Sequence, residues 1–142
     1  LMIVKTMIVD DSDNDRYLLK RWLGKCDFEM HITEARDGEE ALDYLERGQQ
    51  APDDGYPPAI VFLDINMPRV NGFEFLEKFN AIRNDELGET VVVMFTSSPR
   101  DDDARRALAW DFVDGYLVKG DFATDDLQVV IDGHLKSRQG VS

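Results

Sequence analysis

The sequence predicts an α/β fold in which helices cover both faces of a parallel β-sheet. Short runs of β-branched and aromatic residues alternate five times with segments whose apolar residues recur at helical spacing. Two of these runs, AIVFL at 59–63 and VVVMF at 91–95, are apolar throughout. Strands that are buried on both faces have this pattern, and they belong in the centre of a parallel sheet.

The order of the strands follows from the same pattern. HITEA at 31–35 alternates apolar and polar residues, as a half-exposed edge strand does. An order of 2-1-3-4-5 with right-handed crossovers places this strand at an edge and the apolar runs in the centre. This is the order of a flavodoxin-like, doubly wound sheet. The predicted strands are 3–9, 31–35, 59–63, 91–95 and 115–118.

Each strand is followed by a predicted helix. Ser12 is suited to the N-cap of the first helix, and Phe75, Leu76 and Phe79 recur at helical spacing in the third. The turn-rich segment QQAPDDGYPP at 49–58 is a loop longer than its connection requires. The five predicted helices are 12–25, 38–47, 72–84, 101–109 and 122–137.

Composition and charge narrow the range of functions. The 142 residues are expected to form one domain over 1–142. A net charge of −13, from 16 Lys and Arg against 29 Asp and Glu, disfavours binding to nucleic acid or to an anionic membrane. A lone Cys26, and no apolar run near the ~20 residues of a transmembrane helix, indicate a cytoplasmic protein.

Polar residues follow the predicted strands at the points where those strands leave the core. Asp10 and Asp11 end the first strand, Asp64 the third, Thr96 the fourth and Lys119 the fifth. The carboxyl ends of parallel strands share one edge of the sheet, where ligands bind beside the point at which the strand order reverses. We therefore expect these five side chains to converge. Two like charges ~4 Å apart cost about 4 kcal/mol at an effective dielectric of about 20, so the carboxylates need a cation.

The residue types at this edge indicate phosphoryl transfer. Clustered carboxylate oxygens suit Mg²⁺, which keeps several waters and commonly bridges carboxylates to phosphate oxygens. The ammonium of Lys119 can bind a phosphate oxygen, and the hydroxyl of Thr96 can hydrogen-bond a phosphoryl oxygen. Within such a site a carboxylate can act as the nucleophile and form an aspartyl phosphate.

The motifs around these residues resemble those of the response-regulator receiver domain of two-component signalling, including the chemotaxis type. Each motif is weak alone, but their order, spacing and placement at strand ends make the combination specific. The resemblance covers roughly residues 3 to 137. The matching motifs are IVDDS at 8–12, FLDINMPRVNG at 62–72, MFTSS at 94–98 and GYLVKG at 115–120.

The resemblance implies roles for the acidic residues. Asp64 is similar to the phosphoacceptor, which takes a phosphoryl group from a histidine kinase or a phosphotransfer protein and also contacts Mg²⁺. Asp11 is similar to the direct metal ligand and Asp10 to a ligand that acts through water. Asn66 would give its backbone carbonyl to the metal.

The resemblance also implies a two-state switch. Lys119 would bind a phosphoryl oxygen, Thr96 would move toward the phosphoryl group, and Tyr116 would rotate into the space behind Thr96. The face formed by helix 4, strand 5 and helix 5 would then change and bind a downstream target protein, or a second copy of the chain in a homodimer. The domain would assist its own phosphorylation and dephosphorylation without turning over an external substrate, so it is not expected to be an enzyme.

Two features depart from the usual pattern of the family. Gly120 stands where a proline in a cis bond usually follows the lysine, so we expect a looser turn after Lys119. The 49–58 loop, together with VKG, is similar to stand-alone regulators that partner phytochrome-like kinases.

The first helix has acidic and basic parts with different predicted roles. Asp13 and Asp15 are expected to complement the helix dipole in the first turn rather than to bind metal. The basic residues of this helix form a candidate kinase-docking surface, and they are Arg16, Lys20, Arg21 and Lys25.

Three other functions stay open at the level of sequence. A flavodoxin-like electron carrier would share the fold, although DDSDND at 10–15 would repel a flavin phosphate. A Mg²⁺-dependent phosphatase could use Asp11 and Asp13 as a D-x-D pair. A degenerate receiver would act as a constitutive protein-binding module, although the five positions that carry the chemistry are all filled.

Overall fold

The computed structural model of the protein describes residues 3–121 and 124–138. Its single five-stranded sheet has the order β2-β1-β3-β4-β5, and every neighbouring pair is parallel. The fold class and the strand order are therefore confirmed. The strands are β1 (Ile3–Val9), β2 (Glu29–Ala35), β3 (Ile60–Leu63), β4 (Val91–Thr96) and β5 (Val113–Val118).

Within the described residues five helices alternate with the strands, and the predicted boundaries agree within two residues. The predicted start of the last helix, at 122, lies outside the described residues. A 3₁₀ turn over Leu87–Glu89, which the sequence pattern did not predict, precedes β4. Within the described ranges, no helix is long and apolar enough to cross a membrane. The helices are α1 (Asp13–Leu23), α2 (Gly38–Gly48), α3 (Gly72–Ile82), α4 (Asp101–Leu108) and α5 (Thr124–Arg138).

Two hydrophobic cores lie on opposite faces of the sheet. In β3, Val61 and Leu63 belong to the core beneath α2, α3 and α4, whereas Ile60 and Phe62 belong to the core beneath α1 and α5. Neighbouring residues of a strand point to opposite faces. Burial of all four side chains therefore explains why this strand is apolar throughout, whereas the edge strand β2 is only partly buried.

Side-chain caps begin the first three helices at the carboxyl edge of the sheet. Ser12, Asp37 and Asn71 are the N-cap residues of α1, α2 and α3, and each accepts a hydrogen bond from a backbone N–H of the first turn. Such caps satisfy donors that the helix itself cannot pair. The loops between these strands and helices are thus fixed at both ends.

The long 49–58 loop packs against the amino-terminal part of the sheet and against α2. Lys5 Nζ donates to the backbone carbonyl of Tyr56 at 3.1 Å, and the hydroxyl of Tyr44 donates to Asp53 Oδ1 at 2.7 Å. A Cβ on Gly48 would lie 2.2 Å from the Tyr56 ring. Glycine at this position lets the loop close onto the helix.

Packing of α2 on the sheet gives the first prediction. Leu45 is fully buried, so Leu45→Ala should lower the free energy of unfolding by about 2–5 kcal/mol through lost burial and a residual cavity. Urea denaturation followed by circular dichroism measures this change. The matched control is Leu108→Ala in α4, where the leucine is 47% exposed, with an expected change of about 0.5 kcal/mol. Equal losses for the two variants would contradict this description of the core.

Candidate functional site

Three carboxylates meet where β1 and β3 end. Asp10, Asp11 and Asp64 each offer an oxygen, and these oxygens all lie within 4.8 Å of one another. Asp10 and Asp64 are only 3% and 6% exposed, whereas Asp11 is exposed. The predicted convergence of these acids at the carboxyl edge of the sheet is therefore observed.

Lys119, which follows β5, places its ammonium among the acids. Its Nζ donates to Asp10 Oδ2 at 2.7 Å, to Asp15 Oδ2 at 2.8 Å and to Asp64 Oδ2 at 3.2 Å. Asp15 lies in the first turn of α1, as expected. Its contact with Lys119 was not predicted, because the sequence pattern does not give the direction of the side chain.

Burial and charge act in opposite directions on the pKa values of this cluster. Burial would lower the pKa of Lys119, but the hydrogen bonds to Asp10 and Asp15 and the charge of Asp64 outweigh it and raise that pKa. Burial raises the pKa of Asp10, and the hydrogen bonds from Lys119 and the Ser12 backbone offset this only in part. Lys119 brings one positive charge to the three carboxylates that it contacts. Clustered carboxylate oxygens are the donors that Mg²⁺ prefers, so these residues fit the metal.

Backbone hydrogen bonds fix the two buried carboxylates. Asp10 Oδ1 accepts from the N–H of Ser12 at 2.9 Å, and Asp64 Oδ1 accepts from the N–H of Ile65 at 2.8 Å. The backbone of Ile65 is itself held by Gly72, because the Gly72 N–H donates to the Ile65 carbonyl at 2.7 Å. A Cβ on Gly72 would lie 2.5 Å from the backbone oxygen of Asp64. Glycine is therefore required for this close approach.

The turn after Asp64 is tight. The N–H of Val70 donates to the carbonyl of Pro68 at 2.8 Å, and Arg69 between them has a positive φ of 66°, which is uncommon for a residue other than glycine. The guanidinium of Arg69 pairs with the buried Asp37, the N-cap residue of α2. Asn66, the predicted carbonyl ligand of the metal, lies in this turn with an exposed side chain.

Arg16 has a different place from the one predicted for it. It was assigned to a docking surface, but it is only 8% exposed, and its Nη1 donates to the backbone carbonyl of Asp10 at 2.6 Å. Its Nε donates to Glu34 Oε1 of β2 at 3.1 Å, and it also pairs with Asp13. Arg16 therefore fixes the loop that carries the acid pair. Because Asp13 is occupied by this ion pair with a side chain 90% exposed, the D-x-D arrangement of a phosphatase gains no support.

Thr96 and Tyr116 are joined through the backbone of Ser98. Thr96, fully buried at the end of β4, accepts from the N–H of Ser98 at 3.4 Å. The half-buried Tyr116 donates its hydroxyl proton to the carbonyl of Ser98 at 2.9 Å. The Ser98 hydroxyl in turn donates to Asp103 of α4 at 2.6 Å. The loop after β4 thus connects the site residue Thr96 to α4 and β5.

Glycine occupies the turn after Lys119. Gly120 has a φ of 80°, which glycine adopts readily, and a Cβ placed there would meet no atom within 4 Å. The N–H of Asp121 donates to the carbonyl of Val118 at 3.0 Å and closes the turn. The looser turn expected from Gly120 therefore stays a prediction.

The fold and the site define a class of protein: a doubly wound α/β domain with an acidic, lysine-containing site at the carboxyl edge of its sheet. A family model described as the response regulator receiver domain matches residues 6–132. The chain belongs to this family, and it is the receiver domain of a response regulator in two-component signalling.

Individual relatives agree with this assignment. The chain is 35% identical over 116 residues to the probable methanogenesis regulatory protein FilR2 of Methanothrix harundinacea, covering 80% of this chain and 70% of FilR2. A two-component response regulator from Cytophaga hutchinsonii has a TM-score of 0.81 at 26% identity, covering 92% of this chain and 96% of that one. The Mn²⁺-bound form of response regulator Rcp1 has a TM-score of 0.68 at 26% identity, covering 94% and 92%.

Some curated relatives are much longer than the matched region. The chain spans 41% of chemotaxis protein CheV3 of Helicobacter pylori, at 34% identity. It spans 54% of response regulator Rre1 of Synechocystis, at 27% identity. The common element is the receiver domain.

The contacts of Glu34 give a pH-dependent prediction. Burial would raise the pKa of Glu34, but hydrogen bonds from Lys20 and Arg16 outweigh it, and the pKa is lowered from its ordinary value of 4.5. Such a carboxyl contributes stability that is present above its unfolded pKa and lost as the pH falls through its folded pKa. Glu34→Gln should therefore lower the free energy of unfolding at pH 7. The difference from wild type should begin to shrink near pH 4.5 and vanish at lower pH.

Urea denaturation at several pH values tests this expectation. Glu77→Gln, at an exposed position of α3, is the matched control and should leave stability nearly unchanged. A difference in the free energy of unfolding between Glu34→Gln and wild type that stays constant with pH would show that the ion pairs of Glu34 do not stabilise the folded protein.

Proposed function

We propose that Asp64 is the phosphoacceptor and that it takes its phosphoryl group from the phosphohistidine of a histidine kinase or a phosphotransfer protein. One observation carries the proposal: the buried carboxylate of Asp64 lies 3.2 Å from the Lys119 ammonium and beside the carboxylates of Asp10 and Asp11. A nucleophile, a cation and a metal-suited donor set thus share one small site, as phosphoryl transfer requires.

In the proposed reaction a carboxylate oxygen of Asp64 bonds to phosphorus as the bond from phosphorus to the histidine nitrogen breaks. The electron pair of the broken bond stays on the imidazole, which takes a proton from water. Lys119 offsets negative charge on the phosphoryl oxygens, and the Ile65 N–H holds the second carboxylate oxygen of Asp64 in place. Attack of water on the acyl phosphate would later restore the free carboxylate.

Mg²⁺ would be held by Asp10, Asp11, Asp64 and the backbone carbonyl of Asn66. When bound, the metal supplies positive charge that stabilises the transferring phosphoryl group. The Mn²⁺-bound structure of the similar regulator Rcp1 supports a divalent cation in this fold.

Phosphorylation would be read out through Ser98. The added group carries about −1.5 to −2 charges and three acceptor oxygens. If Thr96 turns its hydroxyl toward these oxygens, its hydrogen bond from the Ser98 N–H breaks, and the Ser98 carbonyl that holds Tyr116 shifts with it. The α4-β5-α5 face, where Leu108 is already exposed, would then bind a downstream protein or a second copy of the chain.

The outer face of α1 is suited to binding the phosphodonor. Leu19 and Leu23 are buried against the sheet, whereas Tyr17 and Leu18 are exposed. A cleft of about 220 Å³ next to Lys119 is lined by Leu18 and Trp22 among others. The candidate docking surface keeps Lys20 and Arg21 of this helix and Lys25 just after it, without Arg16. We further propose that residues 1–142 act as one receiver domain.

Phosphorylation by a small acyl-phosphate donor tests the proposal. With acetyl phosphate and Mg²⁺, intact mass spectrometry should show one phosphoryl adduct that hydroxylamine removes, because an acyl phosphate is labile to this nucleophile. Asp64→Asn should give no adduct. Asp85→Asn, at an exposed turn after α3, is the control and should be modified like wild type. An adduct on Asp64→Asn would contradict the assignment.

The metal requirement gives a separate prediction. Asp11→Asn should raise the Mg²⁺ concentration needed for half-maximal phosphorylation at least about tenfold, since it removes one charged donor. Chelation of the metal should stop the reaction in wild type. Asp43→Asn, exposed on α2, should behave like wild type. Equal Mg²⁺ requirements for all three proteins would exclude Asp11 as a ligand.

A further inference from the structure

We propose that Asp15 is a positioning residue: it holds the Lys119 ammonium above Asp64 and so sets how tightly the site binds a phosphoryl group. The inference rests on the proposed function of Asp64. Lys119 Nζ contacts three carboxylates, and the 2.8 Å contact with Asp15 is shorter than the 3.2 Å contact with Asp64. Two of these carboxylates, Asp10 and Asp64, belong with Asp11 to the cluster that could hold a metal. Asp15 does not belong to that cluster.

Metal binding makes this difference important. A cation held by the cluster would be bound by oxygens of Asp10 and Asp64, which are two of the three acceptors of Lys119. Asp15 then stays as the carboxylate committed to the lysine alone. Because Asp15 does not bind the metal, it would hold the Lys119 ammonium in place before a phosphoryl group binds. Less side-chain entropy is then lost when that group binds.

The backbone N–H of Lys119 donates to the carbonyl of Thr96 at 2.7 Å, but this contact does not fix the ammonium at the far end of the side chain. Gly120 is in the left-handed region, and a Cβ at that position would touch nothing within 4 Å. A lysine side chain has high rotamer entropy, and holding it in one position is costly. Its Nζ lies 5.9 Å from the centre of the Phe95 ring. The directed contacts of the ammonium within the described residues therefore come from the carboxylates.

Asp15 is itself well placed to act as an anchor. Its N–H donates to the side-chain oxygen of Ser12 at 3.1 Å, in the cap that begins α1. The neighbouring Arg16 is directed to Asp13, Glu34 and the carbonyl of Asp10, so it does not draw the Asp15 carboxylate away. The side chain of Asp15 is 32% exposed, which leaves it shielded enough for its charge to act on Lys119.

Equilibrium binding of beryllofluoride, a phosphoryl mimic, tests the inference at saturating Mg²⁺. Fluorescence of Trp22, which lines the cleft beside Lys119, can report binding. Asp15→Asn should weaken binding about threefold to tenfold, the range expected for loss of one partly shielded ion pair. Asp15→Glu should recover part of the affinity. Asp121→Asn, which removes an exposed charge two residues after Lys119, should bind within about twofold of wild type.

A double-mutant cycle separates positioning of Lys119 from a general charge effect. In the Lys119→Met background, Asp15→Asn should cause no further loss of beryllofluoride affinity, because the two residues act as one unit. Thermal unfolding of each variant shows that it is folded. Without any ligand, the ¹⁵N-ammonium NMR signal of Lys119, assigned by its loss in Lys119→Met, should broaden in Asp15→Asn and persist in Asp121→Asn.

The outcomes distinguish this inference from the function on which it rests. If wild type binds beryllofluoride, Asp64→Asn does not, and Asp15→Asn binds like wild type, the positioning role is wrong while the phosphoacceptor stands. An equal loss of beryllofluoride affinity on Asp15→Asn in the wild-type and Lys119→Met backgrounds would also contradict the positioning role. If wild type itself fails to bind, the proposed function fails, and an unchanged ammonium signal in Asp15→Asn would independently contradict the contact.

Discussion

At the carboxyl edge of the sheet, three carboxylates contact one ammonium and a fourth lies beside them. The excess of negative charge over positive charge determines the rest of the site. Asp10, Asp15 and Asp64 all contact Lys119, and Asp11 adds a fourth negative group beside them. At effective dielectric values near 20, each close pair of like charges costs about 4 kcal/mol. Such an arrangement is favoured by further positive charge, so the proposed binding of a divalent cation follows from how the strands end.

The fold holds this repulsive cluster by fixing the backbone that carries it. Arg16 binds the carbonyl of Asp10 from within α1, and the Ser12 cap begins that helix two residues later. On the other side, Gly72 allows α3 to start directly against the backbone of Asp64. These contacts are formed by uncharged backbone groups and one buried guanidinium. In the proposed function the carboxylates would therefore exchange lysine for a metal or a phosphoryl group without movement of their own loops.

The same arrangement connects chemistry to a surface. Thr96, a predicted site residue, accepts a hydrogen bond from the Ser98 N–H. The Ser98 carbonyl accepts from the Tyr116 hydroxyl, and the Ser98 hydroxyl donates to Asp103 of α4. A change at Thr96 thus reaches β5 and α4 through one residue. This short connection suits a domain whose output is a changed binding surface.

Much of the fold was predictable because the apolar pattern of the sequence indicates which strands are buried on both faces. The continuous runs in β3 and β4 indicated the centre, and HITEA indicated the edge that β2 occupies. Placement of Asp10, Asp64, Thr96 and Lys119 followed from topology alone, since parallel strands end at one edge. The inward direction of Asp15 and Arg16 was not predictable. Both lie in the polar first turn of a short helix, where periodicity does not fix which way a charged side chain points.

A crystal structure with Mg²⁺ and beryllofluoride would show whether Asp64 is the phosphoacceptor. We expect beryllium bonded to a carboxylate oxygen of Asp64, the metal bound by Asp10, Asp11 and the Asn66 carbonyl, and the Lys119 ammonium within hydrogen-bond distance of a fluoride. An Asp64 carboxylate without beryllium, in a crystal where the metal or the mimic binds elsewhere, would contradict it.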